Sequence, residues 1–414
     1  MSRTSYPSRL KITDLRIANL VDLPLSTTII RLDTNQGISG YGEVRDLASS
    51  SYALMLKSRL IGQNPCNIDA LFRQIKQFGH HGRQGGGVSG IEMALFDLAG
   101  KAYGVPAYQL AGGKFRDQIL CYCDTPSVPD GAEMGQRLRE RMAMGFKFLK
   151  MDVGIGLLRH VPGTLIAPPG MLDSHTVMHP FTGIQITDKG IAHLVDYVAA
   201  VRDAVGYEIP LAVDHFGHLN VESCIRLGQA LDCFSLAWYE DMVPWQFTEQ
   251  YVRLARAVNT PICTGEDIYL KEGFRPLLEA KGVAVIHPDL ATSGGIMETK
   301  KIGDLAQEHG VAMAMHHAGS PISFLANIHC AAATENFLVL ENHAVDVAWW
   351  DNLIEGVPRP LIQDGFVQVP ETPGLGFSGI NDELFRAHLD PAAPVFFAPS
   401  PQWDNERSHD RLWS

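Results

Sequence analysis

The sequence predicts an α/β protein in which a (β/α)8 barrel follows a smaller α+β region. Two features carry that expectation. From about residue 118 short apolar runs alternate with helical stretches, giving eight strands over roughly 230 residues. No glycine-rich phosphate loop follows the first strand, as an open doubly wound sheet would require. Inside the alternation, four runs end in carboxylates: PLAVDHFGH at Asp214, SLAWYEDMVPW at Glu240, PICTGED at Glu266 and VAVIHPDL at Asp289. The spacings of 26, 26 and 23 residues suit a buried strand plus a crossover helix.

Residues 10–45 read as an antiparallel meander: LKITDLRIANL, TTIIRLDTN, the turn NQG, then ISGYGEV. A helical pattern covers 52–78, and HHGRQGGGVSG reads as a flexible polar loop. Ser89 then caps a helix through GIEMALFDLAGKAYG. The barrel strands are ILCYCDT, FKFLKMDVG, PLAVDH, SLAWYED, PICTGED, AVIHPDL, VAMAMHH and FLVLENH. The rhythm breaks once, at 155–189, a long Pro-, Gly- and His-rich connection expected to act as a lid or specificity loop. Beyond residue 350 the chain is loop-rich and is expected to pack back on the first domain. At 414 residues two domains are expected: 1–117 with 355–414, and the barrel over 118–354.

A net charge of −12 argues against a nucleic-acid or anionic-membrane partner. Seven cysteines show no zinc-finger spacing and read as buried thiols of a reducing, cytoplasmic compartment. The start MSRTSYPSRL has no apolar targeting stretch, and no run of 18 apolar residues suggests a membrane span.

A lone acidic residue after a strand is usually a helix cap. Asp214, Glu240 and Glu266, on three successive strand tips, instead suit a hard divalent cation, Mg2+ first and Mn2+ second. Asp241 and Asp267 are expected to point away. Asp289 ends strand six beside the pair His316 and His317 on strand seven, and a carboxylate beside an imidazole fixes its tautomer and raises its basicity. Lys150 and Asp152, two apart on strand two, are expected to point the same way into the mouth. Glu341 closes the ring from strand eight. A cation opposite an acid/base pair suits removal of a proton alpha to a carboxylate, through an enediolate.

These residues, with GIEMALFDLAGKAYGVPAYQLAGG before the barrel and PDLATSGGI on strand six, resemble the enolase superfamily, mandelate racemase type. The similarity covers nearly the whole chain and runs closest to acid-sugar dehydratases of the mannonate and galactonate kind. It implies a TIM barrel under an α+β capping domain completed by the C-terminal segment, and a homo-oligomer. It implies Asp214, Glu240 and Glu266 as Mg2+ ligands, His316 with Asp289 as acid/base, and Glu341 at the substrate carboxylate. It places capping loops near 20–27 and 80–88 over a sugar-acid substrate, with Arg83 and His81 contacting its distal groups. Two positions depart from the pattern. Lys-x-Lys on strand two is here Lys150-Met151-Asp152, which disfavours two-base racemisation. A histidine expected two residues after Asp214 is Phe216, flanked by His215 and His218. Either of these could take its place, His218 in proton transfer or His215 at the substrate, or His316 could make both proton transfers. The expected reaction is Mg2+-dependent dehydration of an aldonate or aldarate to a 2-keto-3-deoxy acid. An epimerase or cycloisomerase, and a catalytically weak metabolite-binding member, are the alternatives.

Overall fold

The computed structural model describes residues 6–80, 82–172, 183–214 and 219–405. Three antiparallel strands, Ile12–Leu20, Thr27–Thr34 and Ser39–Val44, form the expected meander in sequential order. The helix Gly85–Tyr103 packs on this sheet. Here the expected loop is corrected: the glycines 85–87 are the first turn of the helix, and Ser89 lies inside it rather than at its cap. Ser89 Oγ donates to Gly85 O at 3.0 Å and lies 3.2 Å from Thr292 O. The glycines serve close approach. A Cβ on Gly90 would lie 2.5 Å from Glu43 O, so only glycine lets helix and third strand touch here.

Among the described residues eight parallel strands close into a barrel: Gln118–Cys123, Leu149–Asp152, Leu211–Asp214, Tyr239–Glu240, Ile262–Thr264, Val285–Ile286, Ala312–Met315 and Phe337–Asn342. Strand eight pairs with strand one through Leu340↔Cys121 and Glu341↔Tyr122. Helices cover the outside, several started by side-chain caps. Asp130 accepts from Glu133 N, Asn220 from Ser223 N, and Ser320 from Ile322 N.

Each barrel strand sends one residue into a shared inner layer: Tyr122, Phe148, Ala212, Trp238, Cys263, Val285, Ala314 and Val339, all buried. The Trp238 ring lies 4.8 Å from that of Phe148, and Tyr122 lies 5.4 Å from Phe148. This layer floors the barrel mouth. Strand periodicity then puts residues two further on along the same axis, one level up.

The connection after strand two is pinned at its base by a short antiparallel pair, Leu165↔Ile186 and Ile166↔Gln185. The C-terminal segment returns to the first sheet. Phe397 N donates to Ile17 O at 2.8 Å, and Ala18 bridges Phe396. All seven cysteines are free; five are buried, whereas Cys233 is exposed, contrary to expectation. Among the described residues no helix is long and apolar enough to cross a membrane.

Candidate active site

The polar level above the floor holds Lys150, Asp214, Glu240, His287, His316 and Glu341, each two residues beyond its strand's floor residue. Lys150 is 1% exposed. Its Nζ lies 2.8 Å from Asp214 Oδ2, 2.8 Å from Glu341 Oε1 and 3.6 Å from Glu240 Oε1. Burial alone would lower its pKa, but the three carboxylates hold it well above the ordinary lysine value. Trp238 Nε1 donates to Glu240 Oε2 at 2.8 Å. His287 Nδ1 approaches Glu240 Oε1 at 2.5 Å, and the Tyr122 hydroxyl lies 2.9 Å from His287 Nε2.

Oxygens of Asp214, Glu240 and Asp241 lie within 4.8 Å of one another, an all-oxygen set that could hold a hard divalent cation. Asp241 was expected to point away. Its backbone instead turns left-handed, φ 45°, and its carboxylate accepts from Thr264 Oγ1 at 2.5 Å. Burial, reinforced by Glu266, Asp214 and Glu240, drives the Asp241 carboxyl well above its usual range. So many carboxylates around one spot are costly without a cation, which is why the residues present fit one. Glu266 follows Gly265 and is turned the other way. Its Oε2 lies 3.1 Å from His316 Nε2 and its Oε1 lies 3.7 Å from Arg45 Nη2. Burial lifts it to about 7.

Of the adjacent histidines, His316 faces the axis. His317 turns outward, its Nε2 2.9 Å from Ser323 Oγ. His316 Nδ1 lies 2.7 Å from Asp289 Oδ2, and the backbones of these residues bridge in parallel. Burial, with the charge of Arg45 alongside, holds the His316 imidazole well below the ordinary histidine range. Asp289 also caps the short helix Leu290–Ser293 by accepting from Thr292 N at 3.1 Å.

Arg45 was not anticipated. It leaves the end of the third meander strand, is 1% exposed, and pairs with Asp289 and, at 3.0 Å, with Asp46. The nearby Glu43 carboxylate accepts from Ser320 N at 3.0 Å. Nothing in the motif EVRD marks these residues, because their importance lies in the other half of the molecule. His343 was also missed, although its place two residues after Glu341 was the available signal. Its Nε2 lies 3.2 Å from Glu341 Oε1 and its Nδ1 lies 3.6 Å from Asp124 Oδ2.

Asp152 does not share the place of Lys150. The strand ends there, and the carboxylate accepts from Ser127 Oγ at 3.1 Å on the rim. Arg83 donates to Asp46 O and Oδ2, at 2.6 and 2.7 Å, and lines a cavity of about 390 Å³ with His80, Trp245, Gln246, Asp267 and Tyr269. His81, His215, Phe216 and His218 lie outside the described residues.

A closed barrel with carboxylates and an Asp–His pair at the C-terminal ends of its strands, capped by an antiparallel sheet and helix, defines the enolase superfamily architecture. The chain belongs to the mandelate racemase/muconate lactonizing enzyme family. Residues 13–112 match the family's N-terminal domain and 133–383 match the enolase C-terminal domain-like model. It is 34% identical to a D-xylonate dehydratase of Haloferax volcanii over 93% of this chain and 90% of that one. It is 30% identical to a D-galactonate dehydratase of Verminephrobacter eiseniae over 91% and 93%. A solved mandelate racemase/muconate lactonizing enzyme-like protein from Rubrobacter xylanophilus superposes with a TM-score of 0.82 at 29% identity, covering 94% of this chain and 100% of that one.

Proposed function

We propose that the protein is a hydro-lyase that removes water from a sugar acid to give a 2-keto-3-deoxy acid. The observation that carries this reading is the His316–Asp289 pair facing a group of carboxylates across one barrel mouth. The dehydratase relatives supply the reaction class.

Asp214, Glu240 and Glu266, with Asp241 beside them, would hold a divalent cation, Mg2+ by the hardness of the oxygen donors. When bound it supplies positive charge for the substrate carboxylate as the C2 proton leaves. His316 does the proton work. With Asp289 accepting from Nδ1–H, the lone pair sits on Nε2, facing the mouth. The imidazole is neutral and ready to take the C2 proton. Arg45 neutralises Asp289, so the pair can be buried without a net negative charge. Lys150, fixed between Asp214 and Glu341, acts as a stationary charge rather than a mobile base. Expulsion of the C3 hydroxyl as water then forms the enol, which rearranges to the ketone.

The test is a panel of aldonic and aldaric acids, xylonate, galactonate and arabinonate among them, incubated with Mg2+ and assayed for 2-keto-3-deoxy products. Epimers or C2 deuterium exchange without water loss for every acid would replace dehydration with epimerisation.

A further inference from the structure

Dehydration needs two proton transfers of opposite sense: a base at C2 and an acid at the departing C3 hydroxyl. Two imidazoles share this mouth. The rings of His316 and His343 have centroids 5.3 Å apart and are inclined at 57°. Their surroundings differ. His316 has Asp289 2.7 Å and the Arg45 guanidinium 3.0 Å from its Nδ1, and Glu266 3.1 Å from its Nε2. His343 has Glu341 at one ring nitrogen, 3.2 Å away, and Asp124 at the other, 3.6 Å away.

We propose that His343 is the general acid of the reaction, donating a proton to the C3 hydroxyl while His316 takes the proton from C2. The inference rests on the dehydratase reading above. As the C2–H bond breaks, its proton moves to His316 Nε2 and its electron pair passes into the substrate carboxylate as an enediolate. That pair then forms the C2=C3 bond as the C3–O bond breaks, and the departing oxygen takes a proton from His343 and leaves as water. His343 ends neutral and His316 protonated, so one proton returned to His343 from His316 or from solvent resets the pair.

Three observations support the assignment. His343 lies just past the end of strand eight, two residues beyond Glu341, and its ring meets that of His316 in the mouth. Its side chain is 21% exposed against 6% for His316, as suits a group meeting a hydroxyl further along the substrate. The Nδ1 contact to Asp124 is too long for a hydrogen bond, so that N–H is available to a substrate oxygen. Its charge state agrees. Burial works against protonation, but Glu341 and Asp124 push His343 up to about 9, while the neighbouring charges of Lys150, His316, His317 and Asp46 modulate it.

The test uses the full chain with Mg2+, the accepted sugar acid, and its 3-deoxy-3-fluoro analogue, whose fluoride leaves with less need of an acid. In His343→Asn and His343→Gln, dehydration should fall about 10²–10⁴-fold. C2 hydrogen exchange in D2O should persist, and fluoride release should stay within a few-fold of wild type. Dehydration at the wild-type rate, or equal loss of exchange, fluoride release and dehydration in both variants, would overturn the assignment. Wild-type protein that neither exchanges nor eliminates would instead overturn the underlying dehydratase reading, and the assignment with it.

Discussion

His316 Nδ1 lies 2.7 Å from Asp289 Oδ2, and the two residues come from neighbouring strands whose backbones bridge at this pair. The ring therefore cannot rotate without breaking a contact made where the sheet itself is continuous. Replacing His316 by Asn should lower the turnover of the accepted acid about 10²–10⁴-fold and abolish C2 exchange in D2O. The circular dichroism spectrum should be unchanged. Exchange at the wild-type rate would move the base elsewhere.

The metal assignment makes a separate demand. Asp214→Asn and Glu240→Gln should each weaken Mg2+ binding about tenfold or more, about 1.4 kcal/mol, by calorimetry. Glu266→Gln and Asp241→Asn, measured side by side, decide which carboxylate completes the set. A larger loss at Asp241 would follow from the oxygen set described above, and a larger loss at Glu266 would mean that its carboxylate leaves His316 for the cation. Unchanged affinity in all four variants would remove the cation from this mouth.

Arg45 is buried against Asp289 and Asp46, so its loss leaves negative charges without a partner. Arg45→Met should destabilise the protein by about 3–5 kcal/mol in urea unfolding, because a buried pair broken on one side leaves an uncompensated charge. Arg45→Lys should cost less, since it keeps the charge and loses only the fork geometry. Equal stability of wild type and Arg45→Met would contradict the pairing.

His329 offers a pH test away from the mouth. It is fully buried, its ring stacks on Tyr108 at 5.8 Å, and burial lowers its pKa to about 4 from an ordinary 6.5. The folded state therefore favours the neutral ring, and the unfolded chain takes up the proton first. Its contribution is complete above pH 6.5 and is lost progressively as pH falls toward 4. The urea midpoint should fall across that window, and His329→Gln should flatten the slope. The same slope in wild type and variant would assign the acid sensitivity to other groups.

The barrel was legible because its strands announce themselves twice, by apolar runs and, for all but strand seven, by a carboxylate at the end. Periodicity alone also predicts which side chains share the axis: Lys150, Glu240 and Glu341 sit two beyond Phe148, Trp238 and Val339. The same count reaches His287 and His343, which motif reading passed over. Arg45 and Glu43 were out of reach, because no local pattern tells that the end of a meander strand will meet strands six and seven of another domain. The glycine run 85–87 misled for a related reason. Local propensity favours a loop there, whereas packing against Tyr52 and Arg45 rewards a helix without side chains. Asp241 escaped its expected direction through a backbone angle that sequence alone does not give.

The floor of eight side chains beneath the charges has a consequence for traffic. Tyr122, Phe148 and Trp238 pack edge-on and tilted against one another where a passage through the barrel would run. The site is thus a vessel with one opening. On the dehydratase reading proposed above, the acid, the cation and the water formed would all pass the same rim, and product water would leave past the keto acid or after it. A substitution that thins the floor, such as Trp238→Ala, would open a back door for solvent and remove the indole that orients Glu240.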